Sequence, residues 1–184
     1  MEKERLTIQI CGFGGQGVIL ASVILGTAAV TEKDYYAVQT QSFGSEARGG
    51  ECQAELILSK NPIYSPTSDK VDVLVGMSDL AFNRYLDRLE KNGILIIDPE
   101  LVKKPMRSDV HIYEIPANRI AKELGFALSA NMVFLGVLQQ VTKITSEQNL
   151  FSAIKRTVNE KYLEPNILAA KKGIEFIKFK TKQE

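Results

Sequence analysis

The chain has 184 residues, with 23 basic and 22 acidic side chains and a formal net charge of +1. So balanced a charge creates no overall field that would attract nucleic acid or a membrane surface, and neither is expected as a partner. The hydrophobic fraction of 45% is typical of a globular protein, and no apolar run reaches the length of a membrane span. Because no signal peptide precedes Leu6, we expect a cytoplasmic protein.

The first predicted element is a strand that ends in a glycine cluster. Leu6, Ile8 and Ile10 alternate with polar residues, and residues 18–30 then form an almost wholly small or apolar run. That run is too long for a strand and too short to cross a membrane, which indicates a buried helix. A strand, a glycine turn and a helix are typical of a βα unit that binds a phosphate. Glycines let backbone N–H groups approach the ligand, and the helix N-terminus favours negative charge.

The spacing of the glycines does not decide which ligand this turn binds. Gly12, Gly14 and Gly17 match the dinucleotide pattern G-x-G-x-x-G between a strand and a helix. That pattern also needs an acidic residue at the end of the second strand to bind a ribose hydroxyl, and this strand ends in Gln41 and Ser42. The sequence therefore disfavours NAD and favours another phosphate-bearing ligand. The alternative is a turn that only packs the helix on the sheet.

The later elements alternate between strands and helices before a C-terminal helical portion. Ser78 is the expected N-cap of the second helix, and Gly93 is the glycine expected to close it. Residues 41–50 have little apolar periodicity and are predicted to be a loop. The later strands are predicted at 35–40, 51–59, 71–76, 94–98 and 110–115, and the later helices at 78–90, 116–124, 130–141, 146–162 and 165–179. We predict an α/β fold, with a Rossmann-like open, mainly parallel sheet, flanking helices and a C-terminal helical portion.

Few residues of the chain offer catalytic or metal chemistry. Cys11 and Cys52 form no metal-ligand pattern, and the single histidine, His111, has no catalytic triad around it. An iron–sulfur cluster needs about four thiolates, so this chain cannot hold one alone. Asp98 is interpreted as a turn residue and Asn131 as an N-cap or packing residue. We predict no catalytic residue and no metal site.

Several segments, taken in order, resemble the γ subunit of 2-oxoacid:ferredoxin or flavodoxin oxidoreductases. These enzymes act on pyruvate, 2-oxoglutarate, branched-chain 2-oxoacids or indolepyruvate. The matching segments are 12–18, 41–50, 72–75, 116–125 and 131–136, together with Asn166, Ala169 and Gly173. The resemblance spans nearly the whole chain and implies a single γ-type domain over residues 1–184. Residues 41–46 are most similar to the 2-oxoglutarate enzymes.

The resemblance implies one subunit of an enzyme that converts a 2-oxoacid and coenzyme A to acyl-CoA, carbon dioxide and reduced ferredoxin. It implies partner subunits α, β and a ferredoxin-like δ, which carry thiamine diphosphate and iron–sulfur clusters, and an electron acceptor that is ferredoxin or flavodoxin. This chain is then expected to hold no cofactor tightly and to take coenzyme A as a substrate. The isolated chain is expected to associate as a homodimer, with Phe43 in the surface involved.

Coenzyme A supplies a ligand for the predicted phosphate site. The backbone N–H groups of residues 14–17 are expected to bind one of its phosphates, although Gln16 alternatively turns outward to a partner subunit. Arg48 is expected to bind a phosphate or carboxylate in a bidentate manner, or else to pair with Glu46 or another chain. Gln41 and Ser42 either meet the ligand or only cap their strand. The predicted ligand-binding residues are Gly12, Gly14, Gly15, Gln16, Gly17, Gln41, Ser42 and Arg48.

Overall fold

The computed structural model describes residues 4–33, 35–44 and 50–180. The strands are β1 Arg5–Phe13, β2 Tyr36–Phe43, β3 Glu51–Ser59, β4 Val71–Gly76, β5 Leu89–Ile97 and β6 His111–Glu114. The α-helices are α1 Val18–Lys33, α2 Asp79–Tyr85, α3 Ala117–Glu123, α4 Ala130–Thr142, α5 Glu147–Thr157 and α6 Leu163–Lys180. Short 3-10 helices lie at Leu86–Arg88, Ala127–Ser129 and Glu160–Tyr162.

Within the described residues, six strands form one sheet in the order β2-β3-β1-β4-β5-β6. The pairs β1–β4, β4–β5 and β5–β6 are parallel, whereas β3 is antiparallel to both of its neighbours, β1 and β2. All strands except β3 therefore run in one direction, and the predicted mainly parallel α/β fold is confirmed. The carboxyl ends of β1, β2, β4 and β5 meet the start of β3 at one end of the sheet.

Helices cover both faces of the sheet. One face packs against α1, α4, α5 and α6 through the larger hydrophobic cluster, which includes Ile8, Leu25 and Phe134. The other face packs against α2 through a smaller cluster that includes Leu74 and Phe82. Within residues 4–33, 35–44 and 50–180, the structure contains no helix with both the length and the apolar character needed to cross a membrane.

Helices α4 and α6 approach each other very closely at two glycines. A Cβ atom placed on Gly136 would lie 2.0 Å from the carbonyl oxygen of Ala170. One placed on Gly173 would lie 2.1 Å from the carbonyl oxygen of Val133. Since real Cβ contacts are never this short, the crossing of the two helices depends on both glycines.

The prediction for the second helix is right at its start and wrong at its end. Ser78 is the N-cap, and its side chain accepts a hydrogen bond from the backbone N–H of Ala81. The helix ends at Tyr85 rather than near residue 90, and β5 begins at Leu89, which is buried and pairs with Val71 of β4. Burial of Leu89 between neighbouring elements overrides the helical pattern of the sequence.

Gly93 lies inside β5 and does not close a helix, so that prediction is also wrong. The pairing of β4 with β5 shifts register between Leu89 and Ile94, and Asn92 has a positive φ of 61°. A Cβ on Gly93 would lie 2.8 Å from the carbonyl oxygen of Glu90 and 3.0 Å from that of Asp72. Glycine is therefore needed at this bulge because two backbone segments come close together.

Two further boundaries differ from the predictions. Strand β2 continues to Phe43, so Gln41 and Ser42 lie within the strand and the connection to β3 is shorter than predicted. Helix α5 ends at Thr157 rather than near residue 162. The chain turns away there because the Asn159 side chain accepts a hydrogen bond from the N–H of Lys161 and caps a separate 3-10 helix.

Candidate functional site

The turn between β1 and α1 is held in shape by the side chain of Gln16. Its Oε1 accepts a hydrogen bond from the N–H of Phe13 at 2.7 Å, and its Nε2 donates to the carbonyl oxygen of Met77 at 3.0 Å. Gln16 thus joins the turn to the end of β4 and is directed into the protein, not outward to a partner subunit. Gly15 and Gly17 on either side have φ values of 95° and 75°, a region that favours glycine.

The backbone N–H groups of the turn fall into two groups. The N–H of Gly14 donates to the carbonyl oxygen of Gly50 at 2.9 Å, and that of Gln16 donates to Phe13 at 3.1 Å. Within the described residues, nothing accepts a hydrogen bond from the N–H of Gly15 or Gly17. The first turn of α1 adds further N–H groups that have no partner inside the helix. The donors available to an anion are therefore those of Gly15, Gly17 and the start of α1.

The glycines of this turn differ in the space around them. A Cβ on Gly12 would lie 2.4 Å from Gln16 Oε1, and one on Gly17 would lie 2.2 Å from Asn131 Nδ2. Among the residues that the structure describes, a Cβ on Gly15 would have nothing within 4 Å. Gly12 and Gly17 are therefore required for packing, whereas Gly15 is exposed and faces open space.

Asn131 and Asp98 are hydrogen-bonded to other segments of the chain. Asn131 is buried in the first turn of α4, and its Nδ2 donates to the carbonyl oxygen of Gly17 at 3.3 Å. Asp98 is buried at the end of β5, where its Oδ1 accepts from the N–H of Glu100 and its Oδ2 accepts from the backbone N–H and the side-chain Nδ2 of Asn118. Of the two roles predicted for Asn131, the packing hydrogen bond is confirmed and the N-cap is wrong, since the N-cap of α4 is Ser129. The predicted turn role of Asp98 is confirmed.

A cavity of about 570 Å³ lies beside the glycine turn, at the end of the sheet where the carboxyl ends of the parallel strands meet. The residues that line it are Phe13, Ser42, Phe43, Gly44, Glu51, Leu80, Arg84 and Tyr85. Ser42 lines this cavity together with Phe13, the residue before the glycine turn, while Gln41 is exposed on β2 and is not part of the lining. Arg48 lies outside the described residues.

An ion pair on the cavity wall was not anticipated from the sequence. The Nη1 of Arg84 on α2 lies 2.5 Å from the Oε2 of Glu51, the first residue of β3. The hydrogen bond to Glu51, together with its negative charge, raises the pKa of Arg84. Burial raises the pKa of the neighbouring Tyr85. The sequence feature that could have indicated Arg84 is its position on the helix that follows β4, because such helices start at this end of an α/β sheet.

Neither cysteine is suited to nucleophilic chemistry. Cys11 is buried at the end of β1, its thiol lies 3.4 Å from the carbonyl oxygen of Val75, and desolvation raises its pKa far above the ordinary value. Burial also raises the pKa of Cys52. A thiol kept in its protonated form is a poor nucleophile and a poor metal ligand. Within residues 4–33, 35–44 and 50–180, no group of three or more histidine, cysteine or acidic residues is arranged to hold a metal ion.

Comparison with known proteins identifies the family of the chain. The sequence model of the pyruvate ferredoxin/flavodoxin oxidoreductase family matches residues 7–176. The chain belongs to this family. The resemblance found in the sequence motifs is confirmed, since the match covers almost the entire α/β fold.

Relatives of similar length are found among the pyruvate ferredoxin/flavodoxin oxidoreductases. The chain is 43% identical over 179 residues to the 2-oxoglutarate synthase subunit KorC of Methanocaldococcus jannaschii, with 96% of each chain covered. It is 42% identical over 184 residues to the subunit of the same name from Methanothermobacter thermautotrophicus, with 96% of this chain and 97% of the relative covered.

Solved structures of the family have the same fold. The γ subunit of a keto/oxoacid ferredoxin oxidoreductase from Geobacter sulfurreducens has a TM-score of 0.81 and 33% identity, over 92% of this chain and 96% of that one. A 2-oxoglutarate:ferredoxin oxidoreductase from Magnetococcus marinus, solved with 2-oxoglutarate, coenzyme A and succinyl-CoA, has a TM-score of 0.86 and 26% identity. The match covers 96% of this chain and 32% of that longer chain.

Proposed function

We propose that this chain is the γ subunit of a 2-oxoglutarate:ferredoxin oxidoreductase and forms one γ-type domain over residues 1–184. The reaction consumes 2-oxoglutarate, coenzyme A and oxidised ferredoxin or flavodoxin, and yields succinyl-CoA, carbon dioxide and the reduced carrier. Likeness over nearly the full length to 2-oxoglutarate synthase subunits supports this substrate over pyruvate, branched-chain 2-oxoacids and indolepyruvate.

The covalent chemistry of the proposed enzyme belongs to other subunits. Thiamine diphosphate and the iron–sulfur clusters reside in the α, β and ferredoxin-like δ subunits, all in the cytoplasm, and this chain carries no tightly bound cofactor. The burial of Cys11 and Cys52 supports this division, since neither thiol is available to a cluster. The isolated chain associates as a homodimer, and the exposure of Phe43 at the end of β2 supports that expectation.

The role of this chain within the complex is to bind coenzyme A through the turn between β1 and α1. The observation that carries this proposal is the exposed Gly15, with open space in front of it and N–H donors of Gly15 and Gly17 beside the start of α1. Several N–H groups pointing at one place, together with the helix dipole, stabilise a phosphate. The cavity lined by Phe13 and Ser42 leaves room for the remainder of the coenzyme next to this turn.

Arg84 is a second contributor to the proposed site. Its side chain is 64% exposed, and its pair with Glu51 lies on the cavity wall. An exposed ion pair of this kind contributes little to stability, so the guanidinium can exchange Glu51 for a phosphate oxygen of the coenzyme. Arg48 is proposed to bind the coenzyme in the same way from the neighbouring connection between β2 and β3.

The proposal is tested with two matched substitutions at Gly15 in the assembled complex. Gly15→Asp and Gly15→Asn have the same shape, and both residue types tolerate a positive φ, so they differ mainly in charge. A charged hydrogen bond to the phosphate is worth about 1.5–3 kcal/mol, or roughly ten- to a hundredfold in affinity. We expect Gly15→Asp to raise the KM for coenzyme A at least about tenfold above that of Gly15→Asn, with the KM for 2-oxoglutarate unchanged.

Two further substitutions extend this test. Arg84→Gln and Arg48→Ala are each expected to raise the KM for coenzyme A while thiamine-dependent decarboxylation continues, because decarboxylation precedes the reaction with coenzyme A. If Gly15→Asp and Gly15→Asn have equal KM values for coenzyme A, the turn does not bind a phosphate of the coenzyme.

The second candidate role is a subunit that serves assembly alone. It is favoured by the internal hydrogen bonds of Gly14 and Gln16 and by the packing of Gly12 and Gly17, which a purely structural turn would also need. The assembled complex distinguishes the two roles. If all four variants assemble and keep the wild-type KM for coenzyme A, the chain contributes to assembly only.

A further inference from the structure

The outer edge of β2 is an unusually accessible sheet edge. Among the described residues, β2 is hydrogen-bonded to β3 on one side and to nothing on the other. The strand has eight residues, with the sequence YAVQTQSF, and carries no charge and no proline. Its two aromatic residues are largely exposed, Tyr36 at 51% and Phe43 at 64%. Long, uncharged edge strands are templates for pairing with another chain.

The opposite edge of the sheet has the features that normally prevent such pairing. Strand β6 has only four residues and includes His111 and Glu114. Glu114 forms an ion pair with Lys104 at 2.9 Å, and its carbonyl oxygen accepts a hydrogen bond from Lys180. Short length and lysine side chains are the usual means of protecting an edge. Within the part of the chain that the structure describes, one edge of the sheet is therefore protected and the other is left unpaired.

Helix α1 extends the accessible surface on one face of β2. It packs on β1, β2 and β3, and its outer side exposes Leu20, Val23 and Val30 at helical spacing. A soluble protein normally places polar residues on the outer side of such a helix. The edge of β2 and this stripe of α1 together form an apolar surface of two neighbouring elements, which we name the β2–α1 surface.

The sequence of β2 suits pairing with an identical strand. A two-fold axis perpendicular to the sheet makes two copies of β2 antiparallel and keeps both α1 helices on the same face. Directly opposed residues of an antiparallel pair lie on the same face, so the axis must pass between one residue and its own copy in the partner, and the central residues are Gln39 and Thr40. Either axis brings uncharged residues opposite each other all along the strand, so no like charges meet.

The dimensions also suit a stable dimer. Eight residues at about 3.3 Å each give β2 a length of about 26 Å. A standard interface buries about 800 Å² on each partner, which corresponds to a patch roughly 28 Å across. The strand spans such a patch in one direction, and the exposed stripe of α1 widens it in the other.

We propose that two copies of this chain associate through the β2–α1 surface, with their β2 strands paired antiparallel so that the two sheets become one continuous sheet. This proposal rests on the homodimer included in the proposed function and does not depend on coenzyme A. It assigns a definite surface and a definite symmetry to that dimer.

The test uses opposite charges at Gln39 in the full-length chain. Gln39→Lys brings two lysines together beside the two-fold axis, and Gln39→Glu does the same with two carboxylates. Each variant alone is expected to raise the dimer dissociation constant at least tenfold in sedimentation velocity. Mixing the two is expected to restore a dimer that contains one copy of each, because the charges then attract. Restoration by mixing distinguishes repulsion at the interface from misfolding.

The matched control is the same pair of changes at His111 on β6, which are expected to leave dimerisation unchanged. In the wild-type chain, backbone amides of β2 are expected to gain protection from hydrogen exchange as the concentration rises. A wild-type chain that remains monomeric overturns the homodimer itself. If both Gln39 variants still dimerise, the dimer exists but does not use the β2–α1 surface. The same conclusion follows if only the His111 variants dissociate. If the amides of β2 become protected only when other subunits are added, the edge binds a different partner and the proposal is overturned.

Discussion

Glycines serve different purposes in the turn after β1 and in the crossing of α4 and α6. At the crossing, Gly136 and Gly173 have ordinary helical backbones, and the missing side chain allows one helix backbone to touch the other. In the turn, Gly15 and Gly17 have positive φ values, so the backbone conformation itself requires glycine. Only Gly15 also faces open space.

The difference separates glycines needed for stability from a glycine available for binding. A side chain at the crossing collides with carbonyl groups that cannot move without separating two helices. A side chain at Gly15 collides with nothing and strains only its own backbone. Alanine at Gly173 therefore tests close helix packing, and alanine at Gly17 tests backbone strain together with a collision. Alanine at Gly15 tests backbone strain alone.

The largest effect is expected for Gly173→Ala. The new Cβ would lie 2.1 Å from a backbone oxygen, so α4 and α6 must separate, and we expect a loss of about 3 kcal/mol in the free energy of unfolding. Urea denaturation measures this loss. The matched control is Gly26→Ala in α1, where the Cβ would meet only side-chain atoms of Leu56, the nearest at 3.1 Å, and no backbone atom. Both changes gain the same helix propensity of about 1 kcal/mol, so the control should be near neutral.

Gly17→Ala is expected to have the next largest effect, about 2–3 kcal/mol. Strain from the positive φ contributes about 1–2 kcal/mol, and the collision with Asn131 adds the remainder. A double-mutant cycle with Asn131→Ala isolates the collision. In the Asn131→Ala background, Gly17→Ala should lower the free energy of unfolding only by the contribution of backbone strain. Full additivity of the two changes would show that Asn131 is not what confines Gly17.

Gly15→Ala should destabilise the chain less than Gly17→Ala, by about 1–2 kcal/mol from strain alone. Gly15→Asn should be milder still, because asparagine adopts positive φ more readily than alanine. Thermal or urea unfolding of the three variants gives the order directly. A loss at Gly15 equal to that at Gly17 would mean that the space in front of Gly15 is filled and not open to a ligand.

The smallest effect is expected for Arg84→Gln, which should leave the unfolding midpoint of the isolated chain unchanged. The guanidinium is exposed, and screening by water makes its pair with Glu51 a poor source of stability. A clear drop in the midpoint would indicate that the cavity wall is a structural element and would weaken its assignment to ligand binding.

The sequence by itself determined the parts of this protein that depend on near neighbours. The alternation in β1, the apolar run of α1 and the hydroxyl of Ser78 before α2 each act over a few residues, and the structure confirms all three. The bounds of β3 were also predicted correctly as 51–59. The glycine-rich and arginine-containing segments, taken in order, were sufficient to indicate the family, since their combination is far more specific than any one spacing.

Only the tertiary structure decided which groups meet across the sheet. Strand β3 lies between β1 and β2 with Glu55 buried, 2.6 Å from Arg88, and neither its place in the sheet nor this ion pair is evident from its own sequence. The inward position of Gln16, the bulge at Gly93 and the pairing of Arg84 with Glu51 likewise join residues far apart in the chain or in different elements. Such contacts follow from the packing order of strands and helices, which local periodicity does not encode.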